Sequence, residues 1–445
     1  MILRAFIENF KSIRERTEFN MLAGNYKRFP EHVSELKKDL KVLKNTAIYG
    51  GNAAGKTNFV LGLEVLKDLV TEGTEDIKEE LPYFPNKLSK ASVSANTKFE
   101  IDFFYDKVEY SYSITYNQEI IIEEWLYRNT SIKPEKIFER KTNENSKKSV
   151  LSLHKSLFTN KDEKIRLKIY EEELRHNQPF IFEGFNKKLK MIRDAYTWFD
   201  EKLKFIFVES KYSGLAHYIS NYDWFKEKFV EIINAANLGI DHIEVKETPI
   251  DTFFGREQEQ ENVKKHLQKR ITKNRGVEFG EGGVSYCAYI NNNDDAVVGK
   301  LTFFHKDIDG DLIEFEFDEE SRGTQRLLDI IPTVIYAAKV DAIYVIDEIE
   351  SSIHPLLIKS LLKLFFKANK DSQSQIIFTT HESNLLDLDL FRQDEIWFFE
   401  KSKEKSTNIY SLSDFKVRHD LDVNRGYLDG KFGAIPFLKL FDKLN

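Results

Sequence analysis

A single cysteine, Cys287, stands in a chain of 445 residues, so no internal disulfide is possible. With ten scattered histidines it makes no zinc-ligand spacing, and a reducing cytosol is the expected setting. Long apolar runs are missing too. Met1 to Asn20 interleaves apolar residues with Arg4, Glu8, Lys11, Arg14, Glu15 and Arg16, which excludes a signal-peptide core. The most apolar later window, Leu327 to Ala338, is short and broken by Asp329 and Pro332, so no membrane span is expected. From Asp162 to about Leu203 the chain reads as helical and charged, but no apolar heptad persists long enough for a coiled coil. Internal repeats and low-complexity tracts are absent. Positive charge is not in excess: 66 Lys and Arg against 73 Asp and Glu give a net charge of -7, which excludes a general grip on polyanions and leaves room for a local basic groove. What is present is ordinary for a globular chain, 41% hydrophobic and 31% charged, with enough length for about two or three domains.

Against this background one stretch stands out. Gly50-Gly51-Asn52-Ala53-Ala54-Gly55-Lys56-Thr57 matches GxxxxGK[ST]. It follows the apolar run Ala47-Ile48-Tyr49 and precedes a helical pattern of Val60, Leu61, Leu63, Leu66, Leu69 and Val70 that Gly73 would stop. Glycines let successive backbone N–H groups turn inward around a phosphate, and the following helix offers its positive end. Lys56 is then expected to reach the β- and γ-phosphates of ATP, and Thr57 to hold Mg²⁺. A Gly-rich turn without a ligand is the plainer alternative.

Around that loop the chain reads in order. Ile2 to Phe10 and Thr17 to Leu22 are expected to pair as strands. Phe99 to Tyr105, Val108 to Tyr116 and Ile120 to Tyr127 alternate with a period of two, as antiparallel strands with turns at Asp106-Lys107 and Asn117-Gln118 do. Phe138 to Lys141 and Val150 to Leu153 extend this β subdomain. Tyr222 to Ala236 reads as a helix and Ile243 to Val245 as a strand. Val263, Leu267 and Ile271 fall on one helix face, with Glu257, Glu259 and Glu261 before the cluster Lys264, Lys265, Lys269, Arg270, Lys273 and Arg275. A solvated amphipathic helix complementing its own dipole and a DNA- or partner-binding face both fit that segment. Asp307-Ile308-Asp309-Gly310-Asp311, between two alternating runs, reads as a hairpin turn rather than a metal loop.

Further motifs complete a nucleotide site. Ala342 to Ile346 is a buried-strand run ending in Asp347-Glu348. Asp347 is expected to hold Mg²⁺ through water, and Glu348 to orient and deprotonate the attacking water. Gln375 to Phe378 forms the next strand, ending at Thr379-Thr380-His381. Parallel strands bring such ends to one edge, where His381 can donate to a γ-phosphate. Ser321 reads as the N-cap of a helix running through Tyr336, and its hydroxyl with the Gly323 N–H makes a second phosphate-binding end.

The order and spacing of these motifs resemble the ABC-type ATPases of the SMC, RecF and OLD group. The resemblance makes Ser321-Arg322-Gly323-Thr324 the signature motif, Asp347-Glu348 the Walker B pair, Ser351 to Pro355 the D-loop and His381 the switch histidine, with Asn9-Phe10-Lys11-Ser12 as the characteristic start. Arg322 stands where the usual signature has its first glycine. More narrowly, Glu320 to Leu327, Asp347 to Pro355 and the tail Gly426-Tyr427-Leu428 to Gly433-Ala434-Ile435-Pro436 resemble the prokaryotic AAA-15 or AbiEii-like ATPases, often found in anti-phage defence and including AriA-like components. The implied fold is α/β: a P-loop NTPase core of ABC type with an antiparallel β subdomain, and a helical or mixed insertion without a long coiled coil. The expected division is an N-terminal lobe at 1–155, an insertion at 156–298 and a C-terminal lobe at 299–445. The implied function is an ATPase switch that dimerises around ATP and controls a separate effector such as a nuclease. A DNA-repair ATPase of the RecF kind is the rival. Asp387-Leu388-Asp389 has the letters of a TOPRIM nuclease motif but lies just past His381, so an effector nuclease is expected on another chain.

Overall fold

The computed structural model describes residues 1–130, 133–154, 161–209, 212, 214–255, 258–273, 276–281, 284–415, 417–418 and 421–435. The chain gathers into two units, one of Met1–Phe205, Val340–Ile349 and Lys370–Asn445, the other of Ile206–Lys339 and Glu350–Asn369.

The first unit is built on a six-stranded sheet in the order Leu203–Ile206, Ile343–Ile346, Gln375–Thr380, Asn45–Gly50, Ile396–Lys401, Thr407–Ser411. Three neighbouring pairings run parallel: Ile343–Ile346 with Gln375–Thr380, that strand with Asn45–Gly50, and Asn45–Gly50 with Ile396–Lys401. Every residue of the strands Ile343–Ile346, Gln375–Thr380 and Asn45–Gly50 is buried. Parallel strands covered on both faces give the unbroken apolar runs seen in the sequence. One face is covered by the helix Lys56–Thr71, which buries Phe59, Val60, Leu63, Leu66, Leu69 and Val70 and packs Phe59 against Phe19 and Phe399. Gly73, at φ +64°, follows its end as the spacing predicts. The other face stacks Phe398 on Tyr427 and Phe432.

Beside it lies a seven-stranded sheet in the order Ser149–Leu153, Pro134–Thr142, Ile121–Asn129, Val108–Tyr116, Thr97–Tyr105, Ile2–Glu8, Thr17–Asn20. Asp106 and Lys107, both at positive φ, make the two-residue turn expected there. Both strands at the chain start are shorter than the apolar pattern predicts: the first ends at Glu8 because Asn9 adopts a left-handed φ, and the second ends at Asn20. Gln375 ties the two sheets: its side-chain carbonyl accepts from Ile2 N at 2.6 Å, and its amide donates to Ile2 O at 3.1 Å and Leu43 O at 2.8 Å.

The second unit holds an antiparallel sheet in the order His242–Pro249, Ala296–Lys306, Val284–Ile290, Val277–Glu281, with Leu312–Glu316 paired to the far half of Ala296–Lys306. Asp307 to Asp311 is the turn of that last hairpin. The Asp307 carboxylate accepts from Asp309 N and Asp311 N, each at 2.9 Å, and Gly310 supplies φ +91°. In the helix Gln258–Arg270 and the residue after it, Leu267 and Ile271 are buried while Val263 is 46% exposed. A spacing of four drifts by about 40° per step on a helix of 3.6 residues per turn, so Val263 leaves the apolar face.

Candidate functional site

The phosphate-loop motif sits where the buried strand Asn45–Gly50 turns into the helix beginning at Lys56. Two of its three glycines are required by space. A Cβ on Gly50 would lie 2.4 Å from Phe399 O, and one on Gly55, at φ +104°, would lie 2.1 Å from Thr407 Oγ1 and 2.6 Å from Ser12 Oγ. Ala53 also takes positive φ, 62°, so the loop coils back on itself. Asn52, Ala53 and Thr57 are exposed, Gly51 is partly so, and Gly50, Ala54, Gly55 and Lys56 are buried. The Lys56 ammonium folds over the loop. It donates to Gly50 O at 2.8 Å and lies 2.9 Å from His381 Nε2, and since an ammonium only donates, that ring nitrogen accepts.

The acids come from the strand Ile343–Ile346, two places along the sheet. Asp347 is buried, with both carboxylate oxygens held: Oδ2 accepts from Thr57 Oγ1 at 2.9 Å and Oδ1 from Thr379 Oγ1 at 2.6 Å. The same Thr379 hydroxyl accepts from Glu348 N at 2.8 Å. Glu348 is half-buried and adopts φ 46°, a left-handed conformation that costs a non-glycine residue about 1–3 kcal/mol and clusters at functional sites. His381 follows the last residue of Gln375–Thr380 and is exposed. Residues from 56 to 381 therefore converge at the carboxyl ends of adjacent parallel strands, where open α/β sheets bind ligands.

The donors assembled there suit ATP and magnesium. A hydroxyl and a carboxylate, Thr57 and Asp347, are hard oxygen ligands of the sort Mg²⁺ takes sparingly, keeping water and phosphate for its other positions. Among the described residues no group of three or more His, Cys, Asp or Glu is placed to hold a metal ion.

Ser321 and Gly323 belong to the second unit. Ser321 is the expected N-cap of the helix Arg322–Ala337. Its hydroxyl accepts from Thr324 N at 3.1 Å, and Ser321 and Arg322 are exposed. Gly323 has a local reason to be glycine: a Cβ there would lie 2.6 Å from Ser352 O, so the helix start packs on the Ser351–Pro355 segment, whose Ser352 has φ 61°. In the basic helix, Lys264 pairs with Glu261 at 2.6 Å and Asp251 at 3.2 Å, Lys265 with Glu261 at 3.7 Å, and Lys273 beyond it with Asp294. Those pairings favour the solvated amphipathic reading. Arg275 lies outside the described residues, as do Glu257 and the tail residue Pro436.

Four polar residues, Thr407, Ser12, Asn58 and Thr379, brace the loop and its acid. The Thr407 hydroxyl is 2.9 Å from Ala54 O and 2.8 Å from Ser12 Oγ, and Asn58 donates to Ser12 Oγ at 2.7 Å. A carbonyl only accepts, so Thr407 gives its proton to Ala54 and receives that of Ser12. Thr379 braces the acid. Ser12 had a sequence signal, as the end of Asn9-Phe10-Lys11-Ser12, and Thr379 stood in the strand end before His381, whereas Thr407 and Asn58 had none. Asp387 and Asp389, the nuclease-like pair, form a local turn, Asp389 N to Asp387 Oδ1 at 2.8 Å, with Arg28 on Asp389 at 2.7 Å.

Among solved structures, the chain is similar to the SMC head domain from Thermotoga maritima, at 12% identity over 92% of this chain and 98% of that one, with a TM-score of 0.36. It is also similar to the SmcHead bound to the C-winged helix domain of ScpA, at 12% identity over 92% and 97%, with a TM-score of 0.38. No curated protein matches. The family model described as "AAA domain, putative AbiEii toxin, Type IV TA system" matches residues 46–387, from the strand before the phosphate loop to just past His381, and the chain belongs to that family.

Proposed function

We propose that this chain is a magnesium-dependent ATPase that works as the switch of a prokaryotic anti-phage, abortive-infection system. One observation carries the chemistry: Thr57 bonds Asp347 at 2.9 Å while Lys56 meets His381 at 2.9 Å, so four motif residues share one edge of a parallel sheet. Gly50 to Thr57 wrap the phosphates with backbone N–H groups, and Lys56 moves from Gly50 O to phosphate oxygens. When bound, Mg²⁺ supplies positive charge against the phosphates, and Thr57 and Asp347 are the residues that hold it. Glu348 takes the proton of the attacking water, and His381 donates to the γ-phosphate. In an ATP-dependent dimer Ser321 and Gly323 of a second copy close over the phosphate, and the closed dimer controls a separate effector, such as a nuclease. The family's description, "AAA domain, putative AbiEii toxin, Type IV TA system", supports the defence role.

The test is made on the purified chain. Glu348→Gln is expected to bind ATP, to slow phosphate release by about 10² to 10⁴, and to accumulate as a dimer in light scattering. Lys56→Ala is expected to lose ATP binding. Glu348→Gln turning over like wild type removes Glu348 from the chemistry. DNA-stimulated turnover with a steep salt slope favours the DNA-repair reading instead.

A further inference from the structure

We propose that the antiparallel sheet of the second unit sets the position of Ser321 through one contact, with His305 as a positioning residue; this rests on the dimeric ATPase reading above. His305 is the penultimate residue of the strand Ala296–Lys306, and its Nε2 lies 2.6 Å from Glu320 Oε1. Glu320 is only 8% exposed and immediately precedes Ser321. His305 stands beside the turn of one hairpin, and Glu320 follows the exit of its returning strand. His305 pairs in register with Ile313 on the returning strand Leu312–Glu316, and its ring packs edge-on against Phe315 at 4.6 Å. That strand runs through the turn Phe317–Glu319 straight into Glu320. Residue 320 is thus held twice, by the chain arriving from one strand and by the imidazole reaching over from the other. Its backbone carbonyl is used as well, accepting from Gln325 Nε2 at 2.9 Å inside the following helix.

A desolvated carboxylate deprived of its partner costs far more than the bond was worth, so it turns to water. Turning the Glu320 carboxylate out to water releases one of the two ties on residue 320 and so loosens the segment that leads directly into the Ser321 cap. The phosphate loop, its acids and His381 lie in the other unit and share none of these contacts. Loss of His305 therefore strikes the step that needs Ser321 and spares nucleotide binding. This gives the middle region, which carries no nucleotide motif, a lever on the hydrolytic cycle.

The experiment compares His305→Leu, which cannot bond Glu320, with His305→Gln, whose amide can, in the full-length wild-type chain and in the Glu348→Gln background. The expected result for His305→Leu is kcat lowered by about tenfold or more with KM and ATP Kd within about twofold, and loss of the ATP-induced dimer. His305→Gln restores most of both. Glu320→Gln, which keeps a bond to His305, is expected to resemble His305→Gln and guards against a leucine variant that fails to fold. His305→Leu with wild-type kcat and dimerisation overturns the proposal, as does an equal loss of ATP affinity and kcat. A wild-type chain that neither hydrolyses ATP nor dimerises on it overturns the ATPase reading itself and takes the proposal with it.

Discussion

At Gly55, φ +104° and the missing Cβ let Thr407 and Ser12 close on the back of the phosphate loop, where the Thr407 hydroxyl, itself bonded to Ser12, donates to the Ala54 carbonyl. Thr407→Val keeps the shape and removes the donor, so Ala54 O is left buried without that partner. The expected cost is about 1–3 kcal/mol of stability by thermal melting, and the loop relaxes enough to weaken ATP affinity severalfold in a nucleotide titration. Unchanged affinity with lowered stability would make the brace purely structural. Neighbouring residues differ sharply in how readable they were. Gly55 and Lys56 announce themselves because backbone space and phosphate charge dictate residue type at fixed spacing. A single threonine about 350 residues away in sequence obeys no periodicity and could not be singled out. The left-handed φ of Glu348 is equally invisible in the letters, although the acid pair itself is plain.

The helix that leaves the loop carries Glu64 and Asp68, with Glu72 at its C-cap, four residues apart, a like-charged ladder on a largely apolar helix. Burial first, and then the charge of Asp68, push the Glu64 carboxyl up to about 7; burial and Glu72 push Asp68 up to about 6. The folded chain therefore holds protons that the unfolded chain releases near pH 4.5, the ordinary Glu value. Stability falls as pH rises through that window and reaches its full loss above the folded pKa. Glu64→Gln is expected to raise the melting temperature at pH 8 and to lose that advantage near pH 4.5. An equal effect at both values would mean that Glu64 does not titrate in this way. The helix, its end at Gly73 and the alternating strands from Thr97 to Asn129 were legible because period 3.6 and period 2 survive in the letters wherever one face is buried. Contacts such as His305 with Glu320 were not, since a side chain reaching across a hairpin leaves no spacing rule behind.

Across the whole molecule the candidate chemistry divides: Lys56, Thr57, Asp347, Glu348 and His381 belong to one unit, and Ser321 with Gly323 to the other. Both ends of the chain carry motifs that point to a nucleotide, because glycines, paired acids and caps are tied to phosphate chemistry. The sheet between His242 and Glu316 was readable only in part, as a strand at Ile243 to Val245 and as the alternating runs on either side of the Asp307–Asp311 turn, because most of its residues answer to packing. The proposed closure over ATP by a second copy makes a demand that a self-sufficient monomer does not. Lys56→Ala removes the phosphate grip but leaves Ser321 intact, whereas Ser321→Arg places a bulky charge at the helix start and leaves the grip intact. Each variant alone is expected to be inactive, the first without ATP binding and the second with ATP bound but not hydrolysed. Mixed together, they form some dimers in which the Lys56 of one chain faces the Ser321 of the other, so one composite site per mixed dimer is whole. Phosphate release by the mixture should rise above that of either variant alone and should increase with total protein concentration. A mixture as inactive as its parts, from chains that form mixed dimers by mass spectrometry, would mean that both sites must fire together or that Ser321 does not act across the dimer. Ser321→Arg hydrolysing ATP at full rate as a verified monomer would sink the two-chain site outright.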